Sequence, residues 1–511
     1  MSVTSYEAFL SQSERGNVIA VVEDLFSGSE TPLSIFEKTA AHRRGSFLLE
    51  SAEHGVWARY SFVGVKARGF LSQRTGEAVQ WQSSSGATAL PNGATLDTSS
   101  ALAALRQLQS AWHSDHTSAD LPPLANGLVG LIGWDVIREL EHLPDRPQSD
   151  FAAPTLGMSL FEDLVVLDHK TNRLLLIANV FADAGFDPEV AYEDALRRIE
   201  VLRGDISQPT KAYLAELDLD TPLDFEPRMT ADEFMSKVER AKDFVRAGDV
   251  FQVVLSQRFD MRLEADPLDV YRVLRALNPS PYMYLLNFAD ADGDYAVVGA
   301  SPESLVQVQG GAVTTHPIAG SRPRGSDLDR DTELAEQLVA DAKERAEHLM
   351  LVDLARNDLL RVCDPDSVAV TEFMQVHRYS HIMHLVSSVS GRLREDKNAV
   401  DAFAATFPAG TLSGAPKPRA LEIIDALEPA NRGTYGGVVG YFDFAGNADL
   451  AIAIRTAFLR DGMARVQAGA GIVLDSDPAA EHAETISKAS APLRAIAAAN
   501  SLRRIEGSLG L

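Results

Sequence analysis

Glu344-Arg345-Ala346-Glu347 and Glu481-His482-Ala483-Glu484 each set two carboxylates at i, i+3 in stretches with a helical pattern. That spacing puts both carboxylates of a pair on one helix face. Two such faces brought together make a four-carboxylate nest, which mutual repulsion opposes unless a cation sits in it. Magnesium suits such a nest, because it takes one or two carboxylates directly, keeps several waters and leaves room for an anionic substrate. The same spacing also describes two solvated helix faces, and the pairs by themselves do not choose between the two.

Other residues could meet an anion. Pro317–Gly325 is a tight loop rich in glycine, proline and arginine, able to bring backbone N–H groups to a carboxylate or simply to turn the chain. Gly410-Thr411-Leu412-Ser413-Gly414-Ala415-Pro416-Lys417 enters a helix, whose N-terminus favours negative charge, but it lacks the spacing of a nucleotide-binding P-loop. Gly469-Ala470-Gly471 follows a strand without the third glycine of a dinucleotide fingerprint. Arg455 is a lone cation in an apolar strand, where it needs either an internal acid or a substrate carboxylate. Tyr435, in a glycine-rich turn, can donate a hydrogen bond or merely pack. His377, His381 and His384 invite a zinc reading, but in a strand His381 and His384 point to opposite faces, which favours acid/base work by one of them.

The elements that must position these groups alternate irregularly. Strand-like runs occur at Val18–Val22, Phe47–Leu49, Val56–Val63, Leu164–Leu167 and Leu174–Val180, with helices opening at Thr31-Pro32 and over Pro188–Leu202 and polar loops at Leu90–Ser100 and His113–Pro123. Gly204–Arg228 carries prolines and aspartates without a period and reads as a connection. A capping box at Thr230–Glu233 opens the next segment. There, strands are expected at Phe251–Phe259, Tyr282–Phe288, Tyr295–Gly299, Val438–Phe444, Ala448–Leu459 and Ala464–Val473. Helices are expected at Leu268–Leu277, Asp331–Leu360, Pro416–Leu427 and from about Ala479. This order favours an α+β fold over a parallel doubly wound sheet. Two lobes are expected, residues 17–204 and residues 229–500.

Composition narrows the partners. With 47 basic and 72 acidic residues the net charge is −25, which opposes nucleic-acid binding. An anionic small molecule then needs local Arg, Lys or metal. Cys363 is the single cysteine, so no intrachain disulfide can form, and no apolar run is long enough to span a membrane. The N-terminus shows no signal pattern, and a cytoplasmic protein with no membrane or nucleic-acid partner is expected.

Taken together, Pro317–Gly325, Glu344–Asp358 (ERAEHLMLVDLARND), Val376–Ser388, Gly410–Lys417 and Glu481–Ala489 (EHAETISKA) resemble the chorismate-utilising enzymes. Among them the large, synthase subunit of anthranilate synthase is most similar, over about Phe47 to Ala491. The resemblance implies that family's fold: mainly antiparallel sheets packed as a sandwich, with surrounding helices. It also turns the acidic pairs toward a magnesium site, with Glu347 and Glu484 on the metal and Glu344 and Glu481 acting through waters. Gly320, Ser321, Tyr435, Arg455 and Gly469, Ala470 and Gly471 would hold chorismate, with Thr411 and Lys488 also at the pocket. His384 matches the catalytic histidine, expected to remove the ring proton as pyruvate leaves. Ser321 stands where many relatives have threonine, and the hydroxyl is kept.

Two positions discriminate within that family. Relatives that add water carry a lysine base where this chain has Gln252, and an amide cannot deprotonate water. Aminodeoxychorismate synthases carry a lysine nucleophile where this chain has Ala319. Both absences leave ammonia as nucleophile. Leu48-Leu49-Glu50-Ser51 and Asn278-Pro279-Ser280-Pro281-Tyr282-Met283 resemble the tryptophan feedback site, implying L-tryptophan contacts at Glu50, Ser51, Pro281, Tyr282 and Met283. Ammonia would come from a separate glutamine amidotransferase subunit, in a heterotetramer of two large and two small subunits. The rivals are an aminodeoxyisochorismate synthase that stops before pyruvate loss, and a silent tryptophan-sensing subunit. His384 opposes the first and the four intact glutamates oppose the second.

Overall fold

The computed structural model describes residues 3–51, 59–83, 86–115, 121–210, 213–378 and 382–505. His381, with the rest of 379–381 in the 376–388 motif, lies outside them. So do residues 56–58 of the expected 56–63 strand, 116–120 of the second polar loop and 211–212 of the connection.

Among the described residues 21 strands join in one hydrogen-bonded network. Its ladders run antiparallel, and helices cover it, an α+β arrangement as expected. Some ladders cross between the two expected lobes. Ser46–Glu50 pairs with Tyr282–Asp290, and Leu128–Ile132 pairs with Val438–Phe442. The strand Tyr282–Asp290 shows how the sequence builds the layers. Successive side chains alternate faces, so Met283 and Leu285 join a core shared with the helices. Tyr284, Leu286 and Phe288 turn the other way, into a core of strand side chains that includes Phe47, Phe161 and Val439. The helix Pro478–Asn500 lies on strand Met463–Ile472 and against helix Pro267–Leu277.

Three elements depart from the sequence expectation, and each departure bears on the site. The helix expected over Asp331–Leu360 is two helices, Leu328–Ala340 and Ala342–Leu360. Asp341 breaks them, because its carboxylate accepts from the backbone of Lys343 and Glu344 and so caps a new helix instead of continuing the old one. The strand expected over Ala448–Leu459 is interrupted, with strands at Ala448–Ile452 and Thr456–Arg460. Arg455 stands in that gap at φ 53°, not inside a strand. The expected loop Pro317–Gly325 contains a strand, Ile318–Pro323, paired with Ile382–Arg392. Its register slips between Ala319 and Ser321 around Gly320, whose φ of 77° a residue with a side chain rarely adopts.

Candidate functional site

These departures converge on one cavity of about 1700 Å³. The helix Ala342–Leu360 brings Glu344 and Glu347 to its wall, and the helix Pro478–Asn500 brings Glu481, Glu484 and Lys488. The two acidic pairs, 137 positions apart in sequence, therefore face the same space. Burial and the neighbouring carboxylates of Glu344 and Glu484 push the Glu347 carboxyl up. Burial and Glu484 do the same to Glu481, against an opposing hydrogen bond from Ser476. Glu347 receives a long 3.4 Å hydrogen bond from the Gln252 amide, and Glu484 pairs with Lys488 at 2.6 Å. Arg322 reaches Glu344 at 3.3 Å and Asp341 at 2.8 Å.

Whether this donor set suits a cation can be judged from its chemistry. No three His, Cys, Asp or Glu side chains among the described residues are grouped closely enough to chelate an ion by themselves. Magnesium asks for less, taking one or two carboxylates and completing its shell with water and substrate oxygens. Carboxylates raised by burial and by neighbouring carboxylates are relieved by such a charge. The residues present fit the ion.

His384 faces the same cavity from strand Ile382–Arg392. Its Nδ1 lies 3.1 Å from the Gly320 carbonyl. A carbonyl only accepts, so Nδ1 carries the proton and Nε2 holds the basic lone pair of the neutral ring. Burial pushes this imidazole's pKa down, which keeps it neutral. Gly320 serves both partners. On its other side an added Cβ would stand 3.1 Å from the Glu344 carboxylate, so the missing side chain lets that helix approach. Ser321 lies directly across from His384 in the ladder.

The opposite wall carries the cation. Arg455 donates to the Lys488 carbonyl at 2.8 Å and forms no salt bridge with the described residues. The internal acid that a buried arginine would otherwise need is absent from its hydrogen bonds, and the guanidinium is left to meet an anion in the cavity. Tyr435 lines the wall beside it. A Cβ on Gly469 would come within 2.7 Å of the Tyr435 hydroxyl, and one on Gly471 within 2.5 Å of the Gln252 amide. The glycines are thus the space into which those polar groups reach. Ala470 alternates away and packs in the core, so it does not line the cavity. Lys488 donates to the Gly469 carbonyl at 3.1 Å.

One residue went unseen in the sequence. Glu303 follows Ser301-Pro302 at the end of strand Gly293–Ser301, lines the cavity and accepts from Thr411 Oγ at 2.9 Å. Burial pushes its carboxyl up to about 7. An acid wedged between a proline and an apolar strand was the only available signal.

The cavity continues to the second group of expected residues. Glu50, Ser51, Pro281, Tyr282 and Met283 line its far end, where Glu50 and Met283 are paired across a ladder. Glu50 accepts from the Tyr271 hydroxyl at 2.5 Å and pairs with Arg275 at 3.2 Å. Tyr282 donates to Asp449 at 3.0 Å, and Gln307 donates to both. The Ser51 hydroxyl is buried with no partner among the described residues. His377 stands across from His384 in the ladder and pairs with Glu372 at 3.1 Å.

Known proteins share this arrangement of sequence and fold. Residues 47–494 match the family model described as chorismate binding enzyme. The chain is 49% identical to anthranilate synthase component 1 of Mycolicibacterium smegmatis, over 98% of this chain and 94% of that protein. It superposes on the crystal structure of anthranilate synthase component I from Streptococcus pneumoniae with a TM-score of 0.73 and 36% identity, covering 92% of this chain and 99% of the other. The menaquinone-specific isochorismate synthase of Escherichia coli shares the fold at a TM-score of 0.66 and 21% identity, over 94% and 95% of the two chains. The chain belongs to the chorismate-binding enzymes.

Proposed function

We propose that this chain is the synthase subunit of an anthranilate synthase, converting chorismate and ammonia to anthranilate, pyruvate and water. The observation that carries the reading is the single cavity that gathers both acidic pairs, His384, Glu303 and Arg455, with Gln252 and Ala319 where other chemistries need lysine. The similarity to anthranilate synthase component 1 over nearly the whole chain supports it.

Chorismate carries two carboxylates. Arg455 and Tyr435 would hold that of the enolpyruvyl group, the guanidinium by charge and the phenol by donating a hydrogen bond. Glu347 and Glu484 would hold magnesium directly, with Glu344 and Glu481 on its waters. When bound, the ion would seat the ring carboxylate and neutralise charge as the C4 hydroxyl leaves. Glu303, whose carboxyl is pushed up to about 7 and so keeps its proton to a higher pH than an ordinary glutamate, can give that hydroxyl a proton while ammonia adds at C2. Thr411 holds the Glu303 carboxyl in place. His384 Nε2 can then take the C2 proton. The electron pair forms the aromatic ring as the C3–O bond breaks, and the enolate of pyruvate departs and picks up a proton.

Ammonia would come from a separate glutamine amidotransferase subunit. The far end of the cavity would take L-tryptophan, shifting the enzyme toward a less active form. Its open hydroxyl at Ser51 and aromatic wall at Tyr282 support an amino-acid ligand there.

The test is anthranilate fluorescence from the purified chain with chorismate, Mg²⁺ and an ammonium salt in excess, near neutral pH and without glutamine. Metal-dependent fluorescence with equal pyruvate is expected. Chorismate consumed without fluorescence or pyruvate would overturn the elimination step, and no consumption would overturn the enzymatic reading.

A further inference from the structure

The carboxylate helix and the histidine strand are tied together by hydrogen bonds that the chemistry above does not use. His348 follows Glu347 directly, and it is fully buried. Its Nε2 lies 2.7 Å from the Ser387 hydroxyl. That hydroxyl also accepts the Met374 N–H at 2.9 Å, and the Ser387 N–H donates to the Pro317 carbonyl at 3.0 Å. Four segments therefore meet within two residues. They carry Glu344 and Glu347, Gly320 and Ser321, Glu372 and His377, and His384.

Strand Ile382–Arg392 has two faces. His384, Val386 and Ser388 line the cavity, while Met383 and Leu385 pack with Leu334 and Leu338 of the neighbouring helix. Ser387 is on that helix-facing side, so its bond to His348 fixes the height of the carboxylate helix behind the strand. Met374 supplies an independent sign that the place is held under constraint. It has φ 51°, in the left-handed region, where a residue with a side chain persists only if its surroundings hold it. It stands where the register slips between Glu372 and Gln375, and its N–H has left the ladder for the serine.

We propose that the His348–Ser387 bond is a positioning device. It sets the Glu347 carboxylate relative to the His384 imidazole, and with it the affinity of the carboxylate nest for its cation. The inference rests on the amination reading for its consequence in turnover, but its geometry stands without substrate.

The test compares His348→Leu, His348→Gln and Ser387→Ala in the full chain. A glutamine amide nitrogen reaches about where the imidazole Nε2 stands, whereas leucine fills space without the bond. Mg²⁺ affinity is read by calorimetry without chorismate, alongside kcat and KM, with melting curves to establish folding. His348→Leu and Ser387→Ala should weaken Mg²⁺ binding about tenfold and lower kcat more than they raise KM for chorismate, and His348→Gln should recover most of both. Unchanged Mg²⁺ affinity in folded His348→Leu or Ser387→Ala would overturn the proposal, as would a folded His348→Gln no better than His348→Leu. If His348→Leu fails to fold, Ser387→Ala, which removes one oxygen, decides alone. Wild-type protein that binds Mg²⁺ yet makes no anthranilate would overturn the reaction reading, while the positioning role is still judged by the affinities.

Discussion

The two groups of residues that line the cavity handle charge to different degrees. At the far end each acid has its partners. Glu50 is bonded to Tyr271 and Arg275, and Asp449 to Tyr282 and Gln307. Among the residues given a role in the reaction, Glu344 and Glu484 have cationic partners in Arg322 and Lys488, but other charges are left wanting. Glu347 and Glu481 are raised by burial and by neighbouring carboxylates, the Glu303 carboxyl is pushed up to about 7, and Arg455 forms no salt bridge among the described residues. A satisfied pocket selects a ligand mainly by shape and by the few groups left open. An unsatisfied one is stabilised by ligands of complementary charge, as the proposed cation and dianionic substrate would be.

The contrast can be broken most sharply at Glu347. Glu347→Ala should lose roughly a thousandfold or more in turnover, even at high Mg²⁺, because a proposed ligand of the cation is gone. Normal anthranilate fluorescence from that variant would end the metal assignment. His384→Ala should cost roughly a hundredfold to ten-thousandfold in kcat, as expected for a lost general base. In the wild type, burial holds this imidazole's pKa below its ordinary 6.5, so the acid limb of kcat/KM should lie below that pH and vanish in the variant. An acid limb above 6.5 would assign it to another group.

At the satisfied end, Ser51→Arg should fill the pocket. It should abolish tryptophan inhibition while leaving kcat within about twofold, since Ser51 has no part in the proposed chemistry. Inhibition curves unchanged by the substitution would move the effector elsewhere.

The smallest expected effect is on stability, at Glu303. Its carboxyl ionises near 4.5 in the unfolded chain but is pushed up to about 7 when folded. As pH rises from 4.5 through 7 the unfolded chain gives up its proton first, so this group costs the folded state up to roughly 3 kcal/mol above that window and nothing below it. Glu303→Gln should therefore melt at a higher temperature than the wild type at about pH 8 and at the same temperature at about pH 4. A variant that is no more stable at about pH 8 would show that the carboxyl is solvated.

Much of this was legible in the chain. The strand over Tyr282–Phe288, the capping box at Thr230–Glu233, and the helix opened by Thr31 and Pro32 follow from local chemistry. The motifs carried the acidic pairs and His384, while Arg455 and Tyr435 stood out by residue type, a cation in an apolar run and a phenol in a glycine-rich turn. What local rules missed lay at breaks. A helical period runs through Asp341, yet its carboxylate ends one helix and caps the next. An apolar run crosses Arg455, yet the chain turns there into the left-handed region. Pro317–Gly325 has the composition of a loop but pairs as a strand, because a partner strand supplies its hydrogen bonds.

The sequence by itself determined which side chains could do chemistry and the family to which they belong. Only the tertiary structure decided that Glu344 and Glu481 share a cavity, that burial pushes the Glu303 carboxyl up to about 7, that Arg455 forms no salt bridge among the described residues, and that Ala470 faces the core. Residue type and spacing are local and survive in one dimension. Burial, repulsion between distant carboxylates and the lack of a partner depend on what the fold brings near, and no spacing along the chain encodes them.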